Sequence, residues 1–221
     1  MGWFITFEGI EGCGKTTQVV RLAGLLAERG YAVRTTREPG GCPIADQVRS
    51  ILLDGGNSSM TPLAELLLYA AARAQHVAEV ITPTLASGGI VLCDRFTDAT
   101  LAYQGFARGL DQELIRSLNR LATGDARPHL TILLDCPVET GLGRAISPVN
   151  EHGVKEERFE LESRAFHERV RNGYLSLARQ EPDRFVIIDG TAGIEETAIA
   201  IAAAVTACIA GSNSHAAGQG V

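Results

Sequence analysis

Five short runs along this chain have the length and composition of β-strands: Trp3 to Phe7, Ala32 to Thr36, Ile90 to Cys93, Leu130 to Leu134 and Phe185 to Asp189. Two of them, Ile90 to Cys93 and Leu130 to Leu134, are almost unbroken apolar stretches, which fits strands buried on both faces. Between the runs the period changes to that of a helix. Val19, Leu22, Leu25 and Leu26 fall on one face, and Gly30 follows them as a left-handed helix cap. Further helices are predicted over Ile44 to Leu53, from Pro62 to a bend or end at Pro83, over Asp111 to Ala122, over Glu139 to Ala145, and over Phe159 to Gln180. Strands alternating with helices predict an α/β fold, a five-stranded parallel sheet with helices on both faces in three layers. No linker divides it, so residues 1–210 read as one domain. The irregular stretch 146–157, with Pro148, Asn150 and Gly153, is a candidate mobile lid. Residues 211–221 are expected to form a disordered tail.

Composition narrows the partners. A net charge of −6 and a pI near 5.4 disfavour a polynucleotide ligand, which needs a broad basic surface, so any phosphate recognition has to be local. Cysteines 13, 42, 93, 136 and 208 form no C-x-x-C pair or metal-ligand spacing, and their number is odd; they suit a reducing cytoplasm. Cys93 and Cys136, at strand ends, read as small buried apolar residues. The first strand starts almost at once, leaving no room for a secretory signal, and the apolar run Thr197 to Ala210 falls short of the ~20 residues that span a bilayer. A packed helix is expected there.

The chemistry concentrates at the end of the first strand. Gly9-Ile10-Glu11-Gly12-Cys13-Gly14-Lys15-Thr16 reads G-x-x-x-x-G-K-T, with a strand before it and an amphipathic helix after it. This is the context of a phosphate-binding P-loop rather than of a plain Gly-rich turn. The glycines let backbone N–H groups face an anion at the helix N-terminus. Lys15 stands out because the chain has only one other lysine, Lys155, against eighteen arginines. A compact ammonium reaches between phosphates where a planar guanidinium does not. Thr16 would give a hydroxyl to Mg²⁺ and Thr17 would hold the α-phosphate.

Three further places carry candidate chemistry. Arg37-Glu38-Pro39-Gly40-Gly41 lies at a strand's carboxyl end, the ligand edge of an open α/β sheet. Tyr69 and Arg73 are four residues apart on one helix and suit a base and a phosphate, although a core tyrosine beside a solvated arginine fits the same spacing. Asp94-Arg95 ends the third strand, where P-loop enzymes place a carboxylate acting on Mg²⁺; a solvent-facing pair is the alternative. The chain contains neither D-x-x-G nor N-K-x-D, so the GTPase switch elements are missing, and the glycine pattern is not G-x-G-x-x-G.

Taken together, F-E-G-I-E-G-C-G-K-T-T at 7–17, T-R-E-P-G-G at 36–41, Y-A-A-A-R at 69–73, D-R-F at 94–96, A-Y-Q-G at 102–105 and a basic lid resemble the thymidylate kinase family over nearly the whole chain. The resemblance implies Mg²⁺-dependent phosphoryl transfer from ATP to dTMP on the way to dTTP, in a cytoplasmic homodimer. It implies that the loop from Gly9 to Thr17 holds ATP, that Thr16 and Asp94 serve the metal, and that Arg37, Arg73 and Arg95 converge on the acceptor phosphate or the transferring group. Glu11 matches a carboxylate that bonds the sugar 3′-OH or acts near the metal. Tyr69 would stack on thymine, Thr100 would lie near the base edge, and Tyr103 would crowd the 2′ position. Position 12 is glycine, which resembles the bacterial type whose catalytic arginine comes from the lid. Arg144 is the first candidate, with Lys155 or Arg158 the second. Two departures from the family pattern are Ala99, where serine is usual, and a lid sparse in arginine. A kinase for another nucleotide or a deoxynucleoside, and a non-catalytic nucleotide-binding module, are the competing readings; intact Lys15, Thr16, Asp94 and Arg95 count against the second.

Overall fold

The computed structural model of the chain describes residues 2–145, 158–159 and 161–216. The expected lid at 146–157, with Lys155, and residues 217–221 lie outside the described residues. Five strands, β1 (Trp3–Glu8), β2 (Val33–Arg37), β3 (Ile90–Asp94), β4 (Leu130–Asp135) and β5 (Phe185–Asp189), form one parallel sheet in the order β2-β3-β1-β4-β5. The expected three-layer α/β architecture is the one observed.

Alternation along the buried strands explains why both faces need cover. Trp3, Ile5 and Phe7 share a core with Ile90, Leu92 and with Val19, Leu22 and Leu26 of α1 (Lys15–Glu28). Phe4, Val91 and Cys93 point the other way and pack against Val77, Ile81 and Phe96. Strand β2 is the edge and is only partly buried, and it begins one residue later than its composition suggests, so that Arg37 is its last residue. Cys93 and Cys136 are buried and all five cysteines are free.

The remaining helices are α2 (Pro43–Leu53), α3 (Pro62–His76), α4 (Thr82–Ala86), α5 (Thr97–Thr100), α6 (Gln112–Thr123), α7 (Val138–Arg144), α8 (Arg164–Gln180) and α9 (Ile194–Ala216). Pro83 does not end the long helix abruptly. A π-helical turn over Val77–Ile81 joins α3 to α4 just before the residue that has no N–H to give. A second such turn, Leu101–Ala107, extends α5. Helix α8 starts later than the expected Phe159, at a cap where the Ser163 hydroxyl accepts the Phe166 N–H at 3.2 Å. Helix α9 continues past residue 210, where the tail was expected to begin.

The P-loop and α7 touch backbone to backbone. A Cβ on Gly12, whose φ is 68°, would fall 1.9 Å from the carbonyl oxygen of Gly141, and a Cβ on Gly141 would fall 2.5 Å from that of Glu11. Neither neighbour is a flexible side-chain end that can step aside. The glycine pair therefore sets how α7, and Arg144 at its end, sit against the loop. Gly141→Ala is expected to cost roughly 1–3 kcal/mol by overpacking this contact. A lowered urea midpoint with unchanged slope checks it, and a midpoint equal to that of the parent chain would count against it.

Candidate functional site

The carboxyl ends of the strands deliver the loop after β1, the turn after β3 and the loop after β2 to one edge of the sheet, as expected for a doubly wound α/β fold. In the P-loop, Gly9, Gly12 and Gly14 all have positive φ, which lets Ile10, Glu11 and Cys13 follow the tight curve into α1. Lys15 is buried and folds back over the loop, with Nζ donating to the carbonyls of Gly9 at 3.1 Å and Ile10 at 2.8 Å. Thr16 and Thr17 are exposed in the first turn of α1. The Thr16 hydroxyl donates to Asp94 Oδ2 at 2.9 Å, so the two residues assigned to the metal are brought together.

Arg95 follows Asp94 with φ 69°, a left-handed backbone that costs a non-glycine residue about 1–3 kcal/mol. Several bonds hold it there. Its N–H donates to the Phe7 carbonyl, Nη1 to the Gly9 carbonyl at 3.0 Å and to the Tyr174 hydroxyl at 3.1 Å, and Nη2 to Glu11 Oε1 at 3.1 Å. Its guanidinium also lies over the Tyr103 ring. The Tyr103 hydroxyl donates to the same Glu11 oxygen at 2.5 Å. Burial pushes the Glu11 carboxyl up, but Arg95, His167 and Lys15 outweigh it and hold the group well below the usual carboxylate range.

Behind this pair stands a second carboxylate. Glu8 accepts from the Phe96 N–H at 2.8 Å and the Tyr174 hydroxyl at 2.7 Å, which in turn accepts from Arg95. Burial, reinforced by the charge of Asp98, pushes Glu8 up to about 8. Glu8 and Tyr174 thus brace the turn that presents Arg95.

Two cavities open at this edge. The smaller, of about 140 Å³, is lined by Tyr69, Arg73, Ala99, Thr100 and Tyr103 among others. The larger, an open cleft of about 1280 Å³, is lined by the P-loop from Glu11 to Thr17 together with Arg37, Asp94 and Arg144. Glu11, Glu38, Arg49 and Arg95 line both. Of the three arginines expected to converge, Arg73 lines the small cavity, Arg95 lines both, and Arg37 is exposed on the large cleft beside Asp46, at 3.8 Å.

Arg73 is neither solvated nor free, although Tyr69 and Arg73 do share the cavity wall. Its Nε donates to Glu38 Oε2 at 2.7 Å, Nη1 to Asn119 Oδ1 at 2.7 Å, and Nη2 to the Phe96 carbonyl at 3.0 Å and the Thr100 hydroxyl at 2.9 Å. Glu38 also pairs with His76 Nδ1 at 2.9 Å. Burial raises the Tyr69 phenol above its ordinary range, so it stays neutral. Arg144 ends α7, exposed on the large cleft, with Nη1 on the Gly190 carbonyl at 2.9 Å. Arg158, the alternative lid arginine, is spoken for. It is buried, donates to the Leu52 carbonyl at 2.5 Å, pairs with Glu65 and lies over Phe159.

Sequence reasoning passed over Glu8, Arg49, His167 and Tyr174, and placed Glu38 at the ligand edge without its pairing to Arg73. A charged residue closing the otherwise mostly apolar β1 is a signal for Glu8, and the seven-residue spacing of His167 and Tyr174 puts them on one face of α8 with Val170 and Leu177. Arg49 left no such mark, because an arginine on a short helix looks like a solvated face.

Comparison with known proteins agrees over most of the chain. Residues 7–201 match the family model described as thymidylate kinase. The chain is similar to a thymidylate kinase of Geobacter sulfurreducens, 67% identical over 203 residues that cover 91% of this chain and 95% of the relative. A thymidylate kinase of Geotalea daltonii is 66% identical over 207 residues, covering 93% and 97%. Among solved structures, the crystal structure of thymidylate kinase from Ehrlichia chaffeensis superposes with a TM-score of 0.74 at 35% identity, covering 93% of this chain and 98% of that one.

The four bonds of Arg73 give an expected outcome. Arg73→Met keeps most of the volume but removes the charge partner of the buried Glu38 carboxylate, leaving it only His76, so folding stability should drop by roughly 3–5 kcal/mol in urea denaturation. A loss below about 1 kcal/mol would mean that Glu38 finds compensation elsewhere.

Proposed function

This chain belongs to the thymidylate kinase family, and from that membership we propose how its residues divide the transfer of a phosphoryl group from ATP to dTMP, yielding ADP and dTDP. One observation carries the division: two cavities of different size and lining meet at Glu11 and Arg95. Phosphoryl transfer needs a donor and an acceptor aligned across a single point, and residues common to both cavities stand at that point.

The large cleft takes ATP. The loop from Gly9 to Thr17 wraps the phosphates with its N–H groups, and Lys15 leaves the Gly9 and Ile10 carbonyls for phosphate oxygens. Thr16 and Asp94 fit Mg²⁺ as hard oxygen donors already in contact. When bound, Mg²⁺ neutralises charge on the transferring oxygens.

The small cavity takes dTMP. Tyr69 stacks on the base, Thr100 lies near its edge, and Arg73 and Arg95 meet the acceptor phosphate, with Arg37 approaching from the cleft side. Arg73 contributes from a fixed position, since four of its bonds are internal. Tyr103 closes the sugar end beside Glu11, which accepts the sugar hydroxyl. Arg144 faces the donor phosphates from the end of α7 and supplies positive charge to the transition state. The family also supports a cytoplasmic homodimer. Leu63 and Leu67 of α3 and Leu114 and Leu121 of α6 are exposed apolar residues suited to a partner surface. No helix among the described residues is long and apolar enough to cross a membrane.

A coupled ADP-release assay with ATP and Mg²⁺, comparing dTMP, dUMP, dCMP, AMP and thymidine at equal concentration, should give a clear preference for dTMP. Faster turnover of thymidine would overturn the acceptor assignment. Arg144→Ala should reduce kcat by about 10²- to 10³-fold with dTMP binding nearly unchanged. An effect confined to dTMP affinity would move Arg144 out of the transition state.

A further inference from the structure

Four buried side-chain polar atoms lack a hydrogen-bond partner among the described residues, and three of them belong to one pair: Glu11 Oε2 and both ring nitrogens of His167. Such atoms are rare in folded proteins, and each is costly if nothing satisfies it. His167 is completely buried on α8, with its ring edge-on to Phe166. Its Nδ1 stands 3.2 Å from Glu11 Oε2, near enough for an ion pair but off the line of a hydrogen bond. The other Glu11 oxygen already accepts from Tyr103 and Arg95. A small rotation of either side chain would align the contact, and Oε2 has no hydrogen-bond partner among the described residues.

We propose that His167 is a positioning residue for Glu11, donating its Nδ1–H to Oε2 when the acceptor occupies the small cavity and so fixing the carboxylate against the sugar 3′-hydroxyl. Donors on both oxygens leave the carboxylate plane no freedom to turn, so the lone pair facing the cavity keeps its aim. Helix α8 is thereby part of acceptor recognition even though His167 does not line the cavity. The side chain needs no charge for this, because the neutral Nδ1–H tautomer suffices. The proposal rests on the reading that Glu11 meets the sugar hydroxyl.

Steady-state kinetics with dTMP and with its 3′-deoxy analogue separate the possibilities. His167→Leu should lose about tenfold or more in kcat/KM for dTMP, with little change for the 3′-deoxy analogue and none in the KM for ATP. His167→Asn, whose amide places an N–H near the Nδ1 position, should restore most of the dTMP preference. His167→Gln, which places it near Nε2, should not. This Asn and Gln contrast holds even where the leucine variant folds poorly. Equal losses with both acceptors, or equal behaviour of the Asn and Gln variants, would overturn the role of His167. Glu11→Gln measured in the same way distinguishes the levels. If it is sensitive to the 3′-hydroxyl while the His167 variants are not, only the positioning role falls; if it is insensitive, the assignment of Glu11 falls and the role of His167 falls with it.

Discussion

The half-buried pair of Arg95 and Glu11 is the contact on which the rest of the site depends. It joins the turn after β3 to the loop after β1, and it sits where the two cavities meet. Such a pair contributes little net stability, because desolvating both charges offsets most of their attraction, whereas removing one partner is costly. Its strained backbone at Arg95 is held by bonds from β1, the P-loop and α8 together. The fold thus spends stability on aiming one guanidinium.

The same pattern recurs around the edge. Arg73 is matched with Glu38, Arg37 with Asp46, and Arg158 and Arg108 with Glu65. A chain of net charge −6 can thereby hold a cluster of arginines near a phosphate site without mutual repulsion. The pairing also grades them by role. Arg37 and Arg144 are exposed on the cleft, Arg95 keeps partial exposure, and Arg73 and Arg158 are fixed inside. Only the exposed or partly exposed ones can exchange a protein partner for a phosphate at low cost.

Helix irregularity serves the same edge. The π-helical turn over Leu101–Ala107 adds a residue to the turn and carries Tyr103 to the cavity that Thr100 also lines. The earlier turn at Val77–Ile81 packs Val77 and Ile81 under the sheet while α3 keeps Tyr69 and Arg73 on the cavity wall. Backbone packing of Gly12 on Gly141 does the equivalent for α7.

The sequence by itself determined the strand count, the α/β class with its parallel sheet and the P-loop motif, because these depend on local period and on motif spacing. It also placed Tyr69 and Arg73 on one face, since four residues make about one helical turn. What it left open follows from a single physical reason: burial and pairing are properties of distant neighbours. Whether Arg73 is solvated depends on Glu38, Asn119 and Thr100 arriving from three other elements, and whether Arg158 is free depends on α2 and α3. The separation of Arg37 from Arg73, the brace of Glu8 and Tyr174, and the approach of His167 to Glu11 across more than 150 residues were decided only when the tertiary structure closed.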